Sequence, residues 1–203
     1  MQKFDTPQAV TAQITVPMGL VRIVAGDRAD TVVNVRPSNP GGAVDAKAAE
    51  QTTVAFTGGV LEVRAPDGPK FGRSGSVEVT VELPAGSAIE GSGMATDFRT
   101  EGRLAGGRIQ TAKGDISLGT VDGPVIADTA QGDIRVAEAV SGLLDLKTSA
   151  GTIEVGVAAG VSAGLEATTG HGTLRDLRQK FDGNLTVDIR AVTSYGDIVV
   201  RGN

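Results

Sequence analysis

Alternating apolar and polar residues run through most of the chain, interrupted by glycine and by short polar turns. In the first part, residues 10–16, 20–24, 31–36, 54–56, 60–64 and 77–83 have the period-2 pattern and β-branched content of strands. Pro17-Met-Gly19, Gly26-Asp27 and the run 37–42 (PSNPGG) separate the first of them as turns. Residues 44–51 (VDAKAAEQ) have helical composition over about two turns. The segment 66–76 reads as a loop that carries Lys70, Phe71 and Arg73.

After residue 88 the alternation becomes a repeat. The phrase Thr-x-x-Gly-Asp/Thr-Ile/Leu occurs with its glycine at Gly114, Gly132, Gly151, Gly172 and Gly196. The intervals are 18, 19, 21 and 24 residues, a period that predicts stacked β-repeats. Two residues after the glycine stand Ile116, Ile134, Ile153, Leu174 and Ile198. Five residues before it stand Ile109, Ala127, Leu146, Ala167 and Ala191; seven before it, Gly107, Val125, Leu144, Leu165 and Ile189. Every second residue of a strand points the same way, so these columns line an interior. A degenerate earlier copy, Gly93-Met-Ala-Thr96-Asp97-Phe98, puts Phe98 in the isoleucine column. The expected fold is all-β: an antiparallel β-sheet region over 1–88 that caps a β-solenoid-like stack of about six short-strand repeats over 89–203, the two forming one continuous unit. The longest interval, at 178–184, reads as a loop pushed out of the stack, and the final strand 197–201 as an uncapped edge.

Composition narrows the chemistry. Among 203 residues there are 29 glycines and 3% aromatics, with no Trp, which suits thin aliphatic β-layers. A net charge of −5 argues against a basic nucleic-acid surface. With no cysteine there is no disulfide framework, thiol nucleophile or Cys-based metal site. No apolar stretch approaches the ~20 residues of a membrane span, and the opening MQKFDTPQAVTAQITV has no signal-peptide core. A cytoplasmic location is the expectation.

Stacking turns repeated positions into ladders with neighbours ~4.8 Å apart. The position after the glycine supplies Asp97, Asp115 and Asp133 in consecutive units, then Thr152, Thr173 and Asp197. Three stacked carboxylates are a candidate metal strip, because their mutual repulsion invites a cation. Against it stands the habit of Asp beside Gly to bond backbone N–H groups of a turn. Thr111, Thr129, Thr148, Thr169 and Thr193 form a second ladder, suited to strand packing or, exposed, to an ordered surface. The position before the glycine varies: Lys113, Gln131, Ala150, His171 and Tyr195. His171 and Tyr195 are the chain's one His and one Tyr, and the register puts them on adjacent units. With Asp197 they form a candidate catalytic acid–base cluster, and Arg175 a candidate anion anchor. The simpler account of a histidine between Gly170 and Gly172 is an exposed turn residue. No nucleophile elbow, P-loop, dinucleotide fingerprint or HExxH is present, so no cofactor is expected.

The order of residues 21–38 (VRIVAGDRADTVVNVRPS), 79–87 (VTVELPAGS), the T-x-x-G-D-I phrases and the ending 193–202 (TSYGDIVVRG) resembles the actinobacterial β-strand-repeat family of unknown function, labelled putative adhesin. The resemblance covers nearly the whole chain. It implies a β-solenoid-like fold and assigns no catalytic residue. Together these readings favour a non-enzymatic scaffold or protein-binding module, self-associating through strand edges. An enzyme built on His171, Tyr195 and Asp197, or a cation- or surface-binding Asp ladder, is the alternative. The small-molecule ligand, if any, has no signature.

Overall fold

The computed structural model describes residues 1–68, 74–178 and 185–202. Lys70, Phe71 and Arg73, and nearly all of the 178–184 loop, lie outside the described residues. The chain is nearly all β. Its first strands are β1 (Gln2–Asp5), β2 (Thr11–Thr15), β3 (Met18–Gly26) and β4 (Asp30–Pro37), followed by α1 (Ala43–Gln51). Then come β5 (Thr53–Thr57), β6 (Val60–Arg64), β7 (Val77–Pro84), the long β8 (Ser87–Glu101), β9 (Arg103–Lys113), β10 (Ile116–Asp122) and β11 (Val125–Gln131). The last part holds the long β12 (Ile134–Ala150), β13 (Ile153–Val157), β14 (Ala163–His171), β15 (Leu174–Leu177), β16 (Val187–Tyr195) and β17 (Ile198–Gly202).

These strands line up in two strips. One runs β5, β6, β2, the first part of β8, β9, β11, the second part of β12, β16, β14. The other runs β1, β4, β7, β3, the end of β8, β10, the first part of β12, β13, β17, β15. Each repeat glycine is the corner where the chain passes from the first strip to the second. The inward columns of both strips belong to one apolar core, in which Ile14, Ile23, Phe98, Ile116, Ile134, Leu146, Ile153, Ile189 and Ile198 are fully buried.

Three features differ from the expectation. First, the N-terminal strands are not simply antiparallel: β2 pairs in parallel with β6 and β8, and β3 with β7 and β8. Only β1–β4, β4–β7 and β5–β6 are antiparallel among the described pairs. Period-2 alternation reports which face is buried, not which way the neighbour runs. Second, the repeats are not six separate units. Because β8 and β12 run from one strip into the other, β8, β9, β11, β12 and β10 form a closed circuit of five parallel strands.

Third, spatial order departs from chain order. The last pair, β16 and β17, is inserted between β12–β13 and β14–β15. The strand at 197–201 is therefore an inner strand with a neighbour on each side. The open edge belongs instead to β14 and β15.

Candidate functional site

The corner of each repeat is built from three ladders. At Gly132 φ is 152°, and a Cβ there would sit 2.1 Å from the carbonyl oxygen of Gly114 on the preceding unit. Gly196 repeats this over Gly151 at 2.0 Å. Backbones therefore approach at the corner more closely than any side chain permits.

The threonine ladder points inward and holds these corners together. Thr129 Oγ1 donates to the carbonyl of Gly114 at 3.1 Å, Thr148 to Gly132 at 2.9 Å, Thr193 to Gly151 at 3.0 Å and Thr169 to Gly196 at 2.9 Å. Thr129, Thr148 and Thr193 are buried, so this column offers no array to an external surface. Its parity is that of the apolar columns two and four residues earlier, a signal already present in the sequence.

The aspartates run along the outside of the same corner. Asp97 Oδ1 accepts from the N–H of Asp115 at 3.0 Å, Asp115 from Asp133 at 2.8 Å, and Asp133 from Thr152 at 2.7 Å. Asp197 does the same for Thr173 at 2.7 Å. Each carboxylate thus bonds the backbone of the next unit in space, rather than its own turn, and satisfies a corner amide that the sheets leave over. The three candidate metal residues are strung along the ladder instead of converging. Among the described residues no group of three His, Asp or Glu side chains is placed to hold a metal ion. A groove of about 270 Å³ beside them is lined by Asp115, Ser117, Asp133, Arg135, Thr152 and Glu154.

Outside the corners lies the variable row. In spatial order it reads Lys113, Gln131, Ala150, Tyr195, His171, each opposite the next in parallel register. The rings of His171 and Tyr195 stack, with centroids 4.9 Å apart and planes 12° from parallel. Both are exposed, Tyr195 by 62%. The stack presents ring faces to each other, whereas proton transfer needs a ring nitrogen aimed at a hydroxyl. Asp197 sits two residues past Tyr195, its Oδ1 held by the Thr173 amide. Arg175 is exposed on β15, across the Gly172 corner from His171.

The void lined by Ile89, Leu104, Gly107, Ile109, Leu118 and Val125 has a volume of about 10 Å³, close to a single water. No helix among the described residues is long and apolar enough to cross a membrane.

What the sequence reading missed is the end of the stack. Leu174, whose counterparts Ile116, Ile134, Ile153 and Ile198 are fully buried, is 46% exposed because nothing described lies beyond β15. The lengthened interval before Gly196 was the one signal that a unit is displaced there.

Comparison with known proteins places this architecture. The fold is similar to that of a putative cell adhesion protein from Clostridium sporogenes, with a TM-score of 0.57 over 100% of this chain and 98% of that one, at 9% identity. It is also similar to a putative adhesin from Bacteroides fragilis, with a TM-score of 0.51 over 98% and 95% of the two chains, at 12% identity. The likeness is one of fold. No family model matches the chain, and no curated protein matches it.

Proposed function

We propose that this chain is a non-enzymatic β-repeat module that binds protein through its corner row, in the manner implied by the adhesin label of its structural neighbours and of the β-strand-repeat family it resembles. One observation carries the reading. On a backbone held by glycine, threonine and aspartate ladders, the exposed column beside the corner varies, reading Lys113, Gln131, Ala150, Tyr195, His171, and it ends in a stacked aromatic pair. Variation on a regular scaffold is where recognition is grafted, and exposed Tyr is a favoured anchor of protein interfaces. An acid–base role for His171, Tyr195 and Asp197 draws less support from the same geometry. The rings meet face to face, and the carboxylate of Asp197 is committed to a backbone amide.

Photo-crosslinking tests this. A photoreactive residue at position 131, in the row, is compared with one at position 62 on β6, using chain produced in its source cells. A discrete protein adduct from position 131 and none from position 62 is the expected result. Equal labelling from both sites, or none from either, overturns the reading.

A further inference from the structure

The four outer strands of the two strips are not equally protected. Among the described residues β1 pairs only with β4, β5 only with β6, β14 only with β16 and β15 only with β17. β15 is short and carries a charged guard. Asp176 stands opposite Val200, at a position whose counterparts Leu118, Val136 and Val155 are core residues, and is paired with Arg178 at 2.6 Å. Arg178 also reaches across to the carbonyl of Ala163. Inward-pointing charge of this kind is how sheets discourage edge pairing. β1 is four residues long and bears the Lys3–Asp30 ion pair.

Beyond its first residue, Ala163, β14 meets no such guard among the described residues. It is nine residues long, AGLEATTGH, with no proline and one carboxylate, Glu166, whose ion pair with Arg190 lies on the outer face. The amide of Gly196 donates to the carbonyl of His171, so the odd-numbered residues of β14 bond towards β16. The N–H and C=O groups of Gly164, Glu166, Thr168 and Gly170 therefore point away from the sheet. β5, at the other end, offers five residues only.

We propose that β14 docks a second copy of this chain, pairing antiparallel with its own counterpart about a two-fold axis at Ala167. This rests on and deepens the reading of the chain as a binding module by naming a second surface, which meets the corner row at His171, and its occupant. Three properties of the strand favour its own copy. Antiparallel pairing must match residues of like bonding direction, so the axis has to pass through a residue rather than between two. Centred on Ala167, all nine residues of each strand find a partner, which five-residue β5 does not provide. The same register sets Glu166 opposite Thr168 of the partner, whereas centring on Glu166 would oppose two carboxylates. A self-matching patch of this kind closes as a dimer and does not propagate.

The chain's lack of cysteine makes the register directly testable. Ala167 would face its own copy in a non-hydrogen-bonded pair, with Cα atoms about 4.5 Å apart, within disulfide reach. Under mild oxidation Ala167→Cys is expected to form a covalent dimer, while Glu62→Cys, on β6, stays monomeric. Ala163→Cys mixed with His171→Cys is expected to give the mixed dimer and little of either homodimer. In sedimentation velocity the unmodified chain is expected to show a concentration-dependent dimer, and Thr168→Pro, which removes an outward amide from each copy, to weaken it at least roughly tenfold. No excess of Ala167→Cys dimer over Glu62→Cys, or undiminished dimer in Thr168→Pro, overturns the proposal. So does a disulfide register centred on another residue. Photo-crosslinking from position 131 reads the other surface, so either idea fails without the other.

Discussion

The amide of Gly151 donates to the carbonyl of Tyr195 at 2.9 Å, which sets the last repeat of the chain against the third. The fourth repeat is thereby displaced to the end of the stack. β16 gains a neighbour on each side and buries Val187, Ile189 and Ala191 completely, whereas β14 has a neighbour on one side and no fully buried residue. Local opening follows the number of bonded neighbours and buried contacts, not nearness to a terminus. In dilute solution, peptides covering 187–202 are therefore expected to exchange amide hydrogen more slowly than those covering 163–177. Exchange that quickens steadily towards the C-terminus would contradict the insertion.

How far the sequence anticipated this arrangement differs from ladder to ladder. The buried columns at Ile116, Ile134, Ile153 and Ile198 were legible because stacking demands identical side chains at identical positions, and Phe98 was legible by the same register. The facing of His171 and Tyr195 also followed from register alone, for in both the chain-order and the spatial arrangement they are neighbours. The order of the units was not legible. Repeats with the same inward columns stack in any order with nearly equal local chemistry, so only the lengths of the connections discriminate. Nor did alternation reveal that β2 and β3 join the parallel strips, since strand direction leaves no trace in period 2. For the aspartates, the reading set against a metal strip was a bond to the amides of their own turn, whereas the bonds run to the next unit. The neighbouring unit's amide, 18 or 19 residues away, became visible only once the stack was built.

Gly132, at a repeat corner, and Gly160, in the turn between β13 and β14, separate two effects that a sequence cannot. Gly132 combines φ of 152° with a carbonyl 2.1 Å from where a Cβ would be. Gly160 has φ of 75° and open space around it. Gly160→Ala meets only the left-handed backbone penalty and is expected to cost about 1 kcal/mol. Gly132→Ala must also push two stacked backbones apart and is expected to cost about 3 kcal/mol or more. Urea denaturation of the two variants gives the comparison, and equal losses would mean the close approach is immaterial.

Acid should loosen the N-terminal end first. Asp30 accepts hydrogen bonds from Arg28 and then Lys3, at 2.7 and 2.8 Å, and these hold its carboxyl down at about 2 against an ordinary 3.8. A carboxyl depressed on folding adds stability that is fully present above its unfolded value and is lost as pH falls towards its folded one. The window is therefore pH 3.8 down to about 2. In that range the β1–β4 pairing, which Lys3–Asp30 bridges, is expected to weaken in the parent chain. Asp30→Asn is expected to show less of this pH dependence. Amide exchange of residues 2–5 across the window is the readout, and identical profiles would remove Asp30 from the account.

Phe98 and Gly91 form a compensating pair. Gly91 stands opposite Ile109, in an inward column that elsewhere holds Ala127, Leu146 and Ala191. Phe98 stands opposite Ile116, where every other unit with a buried residue has isoleucine. The ring fills the space that the missing side chain leaves, for a Cβ on Gly91 would lie 2.7 Å from Phe98 Cε1. Either conventional residue alone is then wrong for its surroundings. Phe98→Ile should open a void and cost roughly 1–3 kcal/mol, and Gly91→Ala should crowd the ring and destabilise as well. Together they restore the pattern of the other units, so Gly91→Ala is expected to stabilise the Phe98→Ile chain. Residues in contact couple by about 0.5–3 kcal/mol, enough to reverse the sign of the alanine's effect. A double-mutant cycle from denaturant melts measures it. Purely additive losses would show that ring and glycine are independent, and that the phenylalanine is tolerated in its column for some other reason.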